Sequence, residues 1–543
     1  MNKKRLLSVL AFVLICALLL ASCGFEGNAI KPAGGDNRTF VLAESAEPPN
    51  LDVSKSTDEV SSRILNNTME GLLRQDRNGR PQPAIAAQLP QVSKDKRTYT
   101  FTLRNARWSD GKPVRAQDFV FSWLRTLNAK TKSEYAFILF PIQNAEEYNA
   151  GKVSASQVGV KALDDSHLQV KLKFPTPYFM ELCSFTTFMP QREDIVNQYG
   201  SEYALEANRL IFNGPFTLSN WEHEASFTLK KNSFYWDQRK VRLDRVEGKI
   251  IKDVASTVNL YSANRLDFTE INPEFAAIFE GKSDRTVIKE MASWYIEMNQ
   301  TKAFFKNLNI RKSINYGIDK RSLTKRVLKN DSVPAGGLMP THMKGDEKHK
   351  FRELSPDTVL YDPAKAKQLY AAGLKELGLK RQPDRLEIVG DDADSSKKQM
   401  EYIKEQLRKN LGLQVEVTAI PFKQRLQRGK RQQFDLLISG WNADYNDPMT
   451  FSDLFLSGGS YNRGKWSNPT YDQLVRKSMT NPNDQERLAD LMKAEKILIQ
   501  DAAIVPLYYR SRLGIKKPFV KGIYWISTGS SYVLKETYLD WKK

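Results

Sequence analysis

The chain of 543 residues is long enough for two to four domains, and its 41% apolar and 27% charged residues exclude disorder, collagen and coiled coil as its main state. It carries 82 Lys and Arg against 63 Asp and Glu, a formal charge of +19. Bases and acids both occur along the whole chain, which indicates a solvated basic exterior, and no compact basic and aromatic module suggests a nucleic-acid partner. Three cysteines cannot build a disulfide framework, and four scattered histidines do not suggest a metal site.

The first 22 residues predict a secretory signal peptide. A basic triplet at residues 3–5 precedes an apolar run over residues 6–21 that is too short for a comfortable membrane span. The sequence LASC at residues 20–23 is similar to a bacterial lipobox, in which cleavage before the cysteine leaves a thiol that carries a diacylglyceryl group. This resemblance makes Cys23 the predicted lipid anchor. Two acyl chains suffice for stable anchoring. The alternative is an ordinary secretory signal with a chance cysteine.

Residues 24–38 are rich in Gly and Asn and lack periodicity, which predicts a flexible tether after the lipidated Cys23. No later apolar stretch is long enough to cross a membrane. Loss of Cys16 with the signal leaves Cys183 without an intramolecular partner, and we expect it to be a buried apolar side chain.

Further along, the chain alternates predicted strands and helices. The elements are assigned from period-2 or period-3.6 apolar patterns and from Pro and Gly at helix ends. Predicted strands cover residues 98–103 and 434–439, and predicted helices cover residues 116–126, the segment from Asp362 to Gly378, a segment that ends at Gly412, and residues 488–499. This interleaving is clearest over residues 360–440 and favours layered α/β lobes.

The sequence contains no recognisable catalytic motif. HExxH, CxxC and GxSxG are absent, and the GKS sequence at residues 281–283 lacks the upstream glycine of a phosphate loop, since Ala276 stands there. The adjacent acids Asp391 and Asp392 fit a solvated loop, and His223 has no evident Ser or Cys partner. We therefore predict no catalytic residue, no cofactor and no metal site.

The span Thr98–Arg125, TYTFTLRNARWSDGKPVRAQDFVFSWLR, resembles the signature of the family 5 extracellular solute-binding proteins. These are the oligopeptide- and dipeptide-binding components of bacterial ABC importers. Further matches follow in the family's order over residues 40–540: AEPPNLD at 46–52, MEGLL at 69–73, NGPFTL at 213–218, YW at 235–236, IRKSINYGID at 310–319, GWNADYNDP at 440–448 and IVPLYY at 504–509.

The resemblance implies an α/β fold, a bilobed periplasmic-binding-protein-like clamp of type II with three domains and a discontinuous first lobe. Its two chain crossings are expected near residues 297 and 511. Domain I would comprise residues 39–62, 195–297 and 512–543, domain II, an extension of the first lobe, residues 63–194, and domain III, the second lobe, residues 298–511.

The resemblance also implies a ligand site. Asp444 matches the family residue that holds the α-ammonium of a peptide, and the segment Ser439–Ala443 is expected to offer its backbone to an extended ligand. The further ligand-binding candidates are Gly440, Trp441, Asn442, Ala443, Tyr445, Phe422 and Glu47. Local sequence alone allows a simpler interpretation of each candidate. Asp444 would be a turn residue, Glu47 an exposed loop acid, and the aromatic candidates part of the core: Trp441, Tyr445 and Phe422.

One position departs from the family pattern. Well-known members carry a basic residue just before the Ser439-Gly440 position that helps to anchor the peptide carboxylate, and here Ile438 stands there. Lys430 or a neighbouring arginine is the candidate substitute, and the preferred peptide length is left open.

The function that the resemblance implies is binding without catalysis. A monomer held on the extracytoplasmic face of the cell membrane by its lipid would capture oligopeptides and deliver them to an ABC permease, which a separate ATPase drives. The alternatives are a lipoprotein that senses a signalling peptide, or pheromone, and the binding of dipeptides, nickel, haem or sugars on the same fold. A secreted hydrolase is the least favoured, because no nucleophile constellation is present.

Overall fold

The computed structural model describes residues 31–528 and 532–541. The predicted signal peptide and Cys23 lie outside these residues. The strands are β1 (Thr39–Glu44), β2 (Leu73–Gln75), β3 (Pro81–Pro83), β4 (Gln91–Val92), β5 (Thr98–Thr102), β6 (Val160–Ala162), β7 (His167–Lys171), β8 (Phe216–Glu222), β9 (Ser226–Lys231), β10 (Arg245–Ile250), β11 (Phe268–Ile271), β12 (Arg285–Met298), β13 (Val333–Pro334), β14 (Leu386–Asp391), β15 (Val415–Ile420), β16 (Leu436–Asn442), β17 (Ile504–Lys516), β18 (Val520–Lys521), β19 (Tyr524–Trp525), β20 (Tyr532–Val533) and β21 (Tyr538–Leu539).

Helices form many of the connections between strands. The α-helices are α1 (Glu59–Thr68), α2 (Ala116–Leu127), α3 (Ala145–Asn149), α4 (Phe179–Leu182), α5 (Glu193–Tyr199), α6 (Val254–Ser262), α7 (Pro273–Ala276), α8 (Ala303–Lys306), α9 (Leu308–Gly317), α10 (Lys320–Ser322), α11 (Phe351–Leu354), α12 (Pro363–Glu376), α13 (Asp394–Leu411), α14 (Phe422–Lys430), α15 (Met449–Ser452), α16 (Pro469–Thr480) and α17 (Asp484–Gln500).

A large mixed sheet runs through the molecule in the order β15-β14-β16-β12-β17-β11-β1-β10-β9-β8, with β13 paired to β17. The long strands β12 and β17 pair with each other in antiparallel orientation. On its other side β12 pairs with β16, and β17 pairs with β11 near residue 515 and with β13 at Tyr508 and Tyr509. The register between β12 and β17 shifts between Lys289 and Ser293 and again after Trp294. These strands therefore connect the two halves of the sheet. The expected crossings near residues 297 and 511 fall within them, and the domain boundaries stay predictions.

The largest buried apolar cluster includes residues of both halves, from Phe40 to Leu491 and beyond, and a second cluster lies within the half that contains β14. On one side, β5 and β7 belong to a separate four-stranded sheet, β4-β5-β7-β6, which packs with α2. On the other, α9 and α13 pack on β14 and β16 through fully buried Ile310, Ile314, Met400, Ile403 and Leu436. The predicted α/β, bilobed architecture is confirmed.

Several local predictions are confirmed because short-range chemistry determines them. The side chain of Asp362 accepts a hydrogen bond from the backbone N–H of Lys365 at 2.9 Å, with Pro363 at the first helical position. Gly378 and Gly412 follow the ends of α12 and α13 with φ of +68° and +74°, a conformation that glycine adopts without strain. Cys183 is a buried free thiol.

Residues 31–38 belong to the predicted tether, yet they lie against the body. The backbone N–H of Ala33 donates a hydrogen bond of 2.8 Å to the buried Asp267, and Arg38 forms an ion pair with Asp244. The part of the predicted tether that the structure describes is therefore held in place by side chains more than 200 residues away. Within the described residues, no helix has the length and apolar character to cross a membrane.

Candidate functional site

A cavity of about 350 Å³ lies along the strands that join the two halves of the molecule. Its walls come from the end of β1, the start of α1, the loops after β10, β11 and β14, helix α14, and strands β12, β16 and β17. This volume is within the range of about 300–1,000 Å³ that is usual for ligand pockets.

Strand β16 brings a free backbone edge to the cavity. Its neighbour β14 pairs with it at only two positions, Leu436 and Leu437, so β14 does not cover the rest of this edge. On the opposite side β16 pairs with β12 along its whole length. The N–H of Ala443 donates to the carbonyl of Met291 on that side, at 2.8 Å. Since backbone groups alternate in an antiparallel ladder, Gly440 and Asn442 direct their N–H and C=O groups away from β12.

Asp444 lies two residues beyond the end of β16, and it therefore follows the free backbone edge directly. Its backbone N–H donates to Thr450 Oγ1 at 3.0 Å, which fixes the turn. Its carboxylate accepts a hydrogen bond of 3.0 Å from the hydroxyl of Tyr135, and the residue is 5% exposed. Burial raises the pKa of the Asp444 carboxyl well above its usual range, although the Tyr135 hydrogen bond opposes this.

Aromatic rings surround Asp444. Trp441 lies edge-on to Tyr461, with ring centroids 4.6 Å apart, and Tyr135 lies between Trp441 and Phe185, at 6.1 and 5.4 Å. All four residues line the cavity. A buried carboxylate among aromatic side chains is a favourable environment for a cation, because the carboxylate forms an ion pair with it and aromatic ring faces attract positive charge.

Strands β12 and β17 contribute buried charges and a large ring to the cavity. The guanidinium of Arg510 contacts Glu290 and Glu59 at 2.6 Å each and lies 3.8 Å from the ring centroid of Trp294. The Trp294 ring covers Gly440, where a methyl group would come within 2.4 Å of it. Gly440 is therefore required by the close approach of an aromatic ring to the backbone edge.

The structure brings five of the eight candidate ligand-binding residues to the cavity: Gly440, Trp441, Asn442, Asp444 and Phe422. Three others lie outside its lining. Ala443 is buried and faces β12 through its N–H group. Tyr445 stacks on Tyr178 at 4.6 Å, and Glu47 forms an ion pair with His223.

Lys430, the candidate carboxylate anchor, also lies outside the cavity lining. Its ammonium forms an ion pair with Glu134. Sequence reasoning missed Tyr135, Tyr461, Trp294 and Arg510, which line the cavity. No local pattern marks these four residues, because tertiary contacts bring them together. Within the described ranges, no group of His, Cys, Asp and Glu side chains is arranged as metal ligands would be.

A bilobed α/β molecule with a free strand edge and a buried carboxylate in the cavity belongs to the class of extracytoplasmic solute-binding proteins. The family model for bacterial extracellular solute-binding proteins, family 5 Middle, matches residues 80–463. The chain belongs to this family.

Relatives match the chain over nearly its full length. The oligopeptide-binding protein OppA of Bacillus subtilis is 32% identical over 543 residues, which cover 97% of this chain and 98% of that protein. The structure of Listeria monocytogenes OppA bound to peptide is 39% identical, with a TM-score of 0.88 over 93% of this chain and 99% of that one. The pheromone receptor PrgZ is 32% identical, with a TM-score of 0.89 over 94% of this chain and 100% of that one.

Proposed function

We propose that this protein is a receptor that binds extended peptides between its two lobes and delivers them to an ABC permease in the membrane. The observation that carries the proposal is the free edge of β16, which ends two residues before the buried Asp444. Peptides of any sequence share a backbone of N–H and C=O groups and an α-ammonium. A host strand edge and one carboxylate recognise these features without regard to side chains.

In this proposal Gly440 and Asn442 exchange main-chain hydrogen bonds with the ligand, and Asp444 holds its α-ammonium. The aromatic rings of Trp441, Tyr461 and Tyr135 shield the ion pair from water, which strengthens it. A buried ion pair adds modest net affinity, but it fixes which residue of the peptide lies opposite which residue of β16. Phe422, at the other end of the lining, contacts a ligand side chain.

Closure of the lobes couples binding to delivery. Glu134 and Lys430, 296 residues apart, pair beside the cavity, and Tyr135 reaches Asp444. A ligand that touches both sides stabilises the closed arrangement, and the permease recognises that arrangement. The similarity to OppA bound to peptide supports this assignment.

The role is one of binding without catalysis. None of the described residues that line the cavity is His or Cys, and the one buried serine hydroxyl of β16, that of Ser439, donates to Glu297 at 2.7 Å. Incubation of the purified protein with a peptide library should give no cleavage products by mass spectrometry. A product whose yield scales with protein concentration would favour a hydrolase.

The proposal includes a lipid anchor at Cys23, which keeps a monomeric receptor beside its permease. Two acyl chains hold a protein on a membrane where one does not. Cells grown with an alkyne fatty acid should label the wild-type protein and release an unlabelled Cys23→Ser variant into the medium. Labelling of the variant to the same extent would contradict the anchor.

Native mass spectrometry of the protein purified without denaturation tests the ligand class. We expect masses of co-purified peptides, and calorimetry of the stripped protein should show binding of synthetic peptides. Complexes with nickel, haem or a sugar, and no peptide, would overturn the proposal.

The similarity to the pheromone receptor PrgZ favours a second candidate, the capture of one signalling peptide. The same measurement separates the two. A mixture of peptide masses indicates uptake of nutrients, whereas one recurrent sequence indicates a receptor for a signal.

A further inference from the structure

One end of the large sheet gathers basic side chains. Strands β1, β10 and β11 are parallel, and the ends of β9 and β17 pair with the starts of β10 and β11. The start of β12 pairs with the same end of β17, through Arg285 and Ile515. Six strands therefore begin or end at this edge, which we call the basic end. It comprises residues 31–39, 230–245, 263–268, 280–285 and 516–521.

The basic end carries a large share of the net charge. Its five segments contain 14 Lys and Arg against 6 Asp and Glu. They make up fewer than a tenth of the residues, yet they contribute +8 of the formal charge of +19. Ten of these bases are exposed, among them Lys230, Arg265 and Lys521. The fold thus concentrates positive charge at one end of a chain whose bases are otherwise dispersed.

The acids of the basic end leave much of this charge unbalanced. Asp267 is buried and accepts hydrogen bonds from backbone N–H groups, and Asp284 accepts one from the hydroxyl of Tyr261. Among the described residues, no carboxylate lies within 4 Å of Lys230, Arg265 or Lys521. Burial lowers the pKa of the nearby Lys516 ammonium, and the charge of Lys521 lowers it further. Like charges therefore crowd this surface, and an anionic partner would relieve their repulsion.

The N-terminal segment leaves the body at the same end. The N–H of Ala33 donates to Oδ1 of Asp267 at 2.8 Å, and the N–H of Val41 donates to Oδ2 at 2.9 Å. One buried carboxylate thus fixes the chain on both sides of residues 34–40. Ala33 follows Cys23 by ten residues, which span at most about 36 Å. A lipid on Cys23 would therefore hold the basic end within that distance of the membrane.

We propose that the basic end is a docking surface for the anionic lipid headgroups of the membrane to which the protein is anchored. This inference rests on the proposed lipid anchor at Cys23. Each Lys or Arg near an anionic surface strengthens attachment by about fivefold, so several exposed bases together give a stable contact. The lipid keeps the basic end at a high effective concentration beside the headgroups, and the two attachments reinforce each other.

The ligand cavity lies at the opposite end of the same strands. Ala43 and Glu44, at the end of β1, and Lys252, after β10, line it. The six residues of β1 span about 20 Å, so lipid at the basic end leaves the cavity lining free. A soluble polyanion would use the same charges, but the exit of the N-terminal segment at this end favours the membrane.

Sedimentation with lipid vesicles tests the surface on the Cys23→Ser protein, which has no lipid of its own. We expect it to bind vesicles of equal parts phosphatidylcholine and phosphatidylglycerol and not to bind phosphatidylcholine alone. The affinity should fall at least about tenfold between about 0.05 and 0.3 M salt, because salt screens surface charges. Absence of binding to the anionic vesicles at low salt would overturn the proposal. Tighter binding to inorganic polyphosphate than to these vesicles, at equal phosphate, would assign the charges to a soluble polyanion instead.

A triple variant in the same background locates the surface. Replacement of Lys230, Arg265 and Lys521 by Gln should weaken vesicle binding at least about 20-fold. The matched control replaces three exposed lysines of α12 and α13 by Gln and should bind as its parent does: Lys367, Lys375 and Lys409. Equal losses in the two variants would show attraction by net charge alone and would overturn the basic end.

The vesicle measurement is independent of the function on which the inference rests. Both triple variants should keep the peptide affinity of their parent, which also shows that they fold. Failure of the lipid anchor would appear in the fatty-acid labelling, and failure of peptide binding would appear in calorimetry. Neither result changes the binding of the Cys23→Ser protein to vesicles.

Discussion

The hydroxyl of Tyr135 donates a hydrogen bond of 3.0 Å to Oδ1 of Asp444, a residue 309 positions later in the chain. Among the residues that the structure describes, no basic side chain lies within 4 Å of this carboxylate, although the cavity contains several arginines. Asp444 is thus a buried acid with one neutral partner. A ligand cation would supply the opposite charge. Three of the four predictions below follow from the absence of a basic partner for this carboxylate.

Replacement of Asp444 by Asn removes the charge that we propose holds the α-ammonium, and it keeps the shape of the side chain. We expect the affinity for peptides to fall by about 30-fold or more, because loss of one member of a buried charge pair costs roughly 2–5 kcal/mol. Calorimetry on the purified variant measures this. The control is Asp384→Asn, at a position whose side chain is 81% exposed and lies outside the cavity lining. Unchanged affinity in the Asp444 variant would exclude it as the ammonium site.

The same substitution should stabilise the protein without ligand. Burial raises the pKa of Asp444 above the value of 3.8 expected in the unfolded chain, so the folded state holds the proton more tightly. This contribution to stability is present in acid and is lost as the pH rises through the raised pKa. Asn does not ionise, and Asp444→Asn should therefore increase the free energy of unfolding at pH 8. Denaturant titrations at pH 8 and pH 4 should show a difference between variant and wild type that shrinks in acid.

The sequence predicts those parts of the fold and of the site that depend on residues close together in the chain. The caps at Asp362, Gly378 and Gly412 follow from neighbouring residues and are confirmed. The buried strand predicted at 434–439 is also confirmed, but it begins at Leu436 and extends through Asn442. The extension depends on pairing with β12, about 150 residues earlier, and it places Gly440 and Asn442 in a strand rather than in a loop.

Contacts between distant segments could not be predicted from local patterns. Nothing in the sequence around Tyr135 indicates that it meets Asp444, and nothing around Glu47 indicates that it pairs with His223, 176 residues later. The resemblance to a family placed Asp444 and Trp441 in a cavity. It left the substitute for the basic residue missing at Ile438 open between Lys430 and a neighbouring arginine, because tertiary contacts decide which side chain reaches the cavity.

Peptide binding should release protons from the protein. A bound ammonium favours the ionised form of Asp444, so binding below its raised pKa expels the proton that burial retains.

Tyr135→Phe removes the hydrogen bond that opposes the rise of the Asp444 pKa. The variant should release more protons per peptide at pH 7 and bind about three- to tenfold more weakly. Calorimetry in two buffers of different ionisation enthalpy counts these protons. Tyr361→Phe, at an exposed position, is the control, and equal proton release in both variants would argue against a link between Tyr135 and Asp444.

The close contact between Gly440 and Trp294 gives a prediction that does not involve charge. A methyl group at position 440 would lie 2.4 Å from the indole ring, whose centroid also lies 3.8 Å from the Arg510 guanidinium and 6.2 Å from the Tyr508 ring. Gly440→Ala should therefore lower the free energy of unfolding by about 1–3 kcal/mol and weaken peptide binding by displacing the free edge of β16.

A second substitution separates this clash from a simple loss of backbone freedom. Trp294→Leu makes room for the methyl group, so Gly440→Ala should cost much less stability in the Trp294→Leu background than in the wild type, and denaturant titration of the four proteins gives the coupling energy. The loss of peptide affinity caused by Gly440→Ala should also be smaller in that background, because the edge of β16 is no longer displaced. Additive effects of the two substitutions would show that the Trp294 ring does not determine the requirement for glycine.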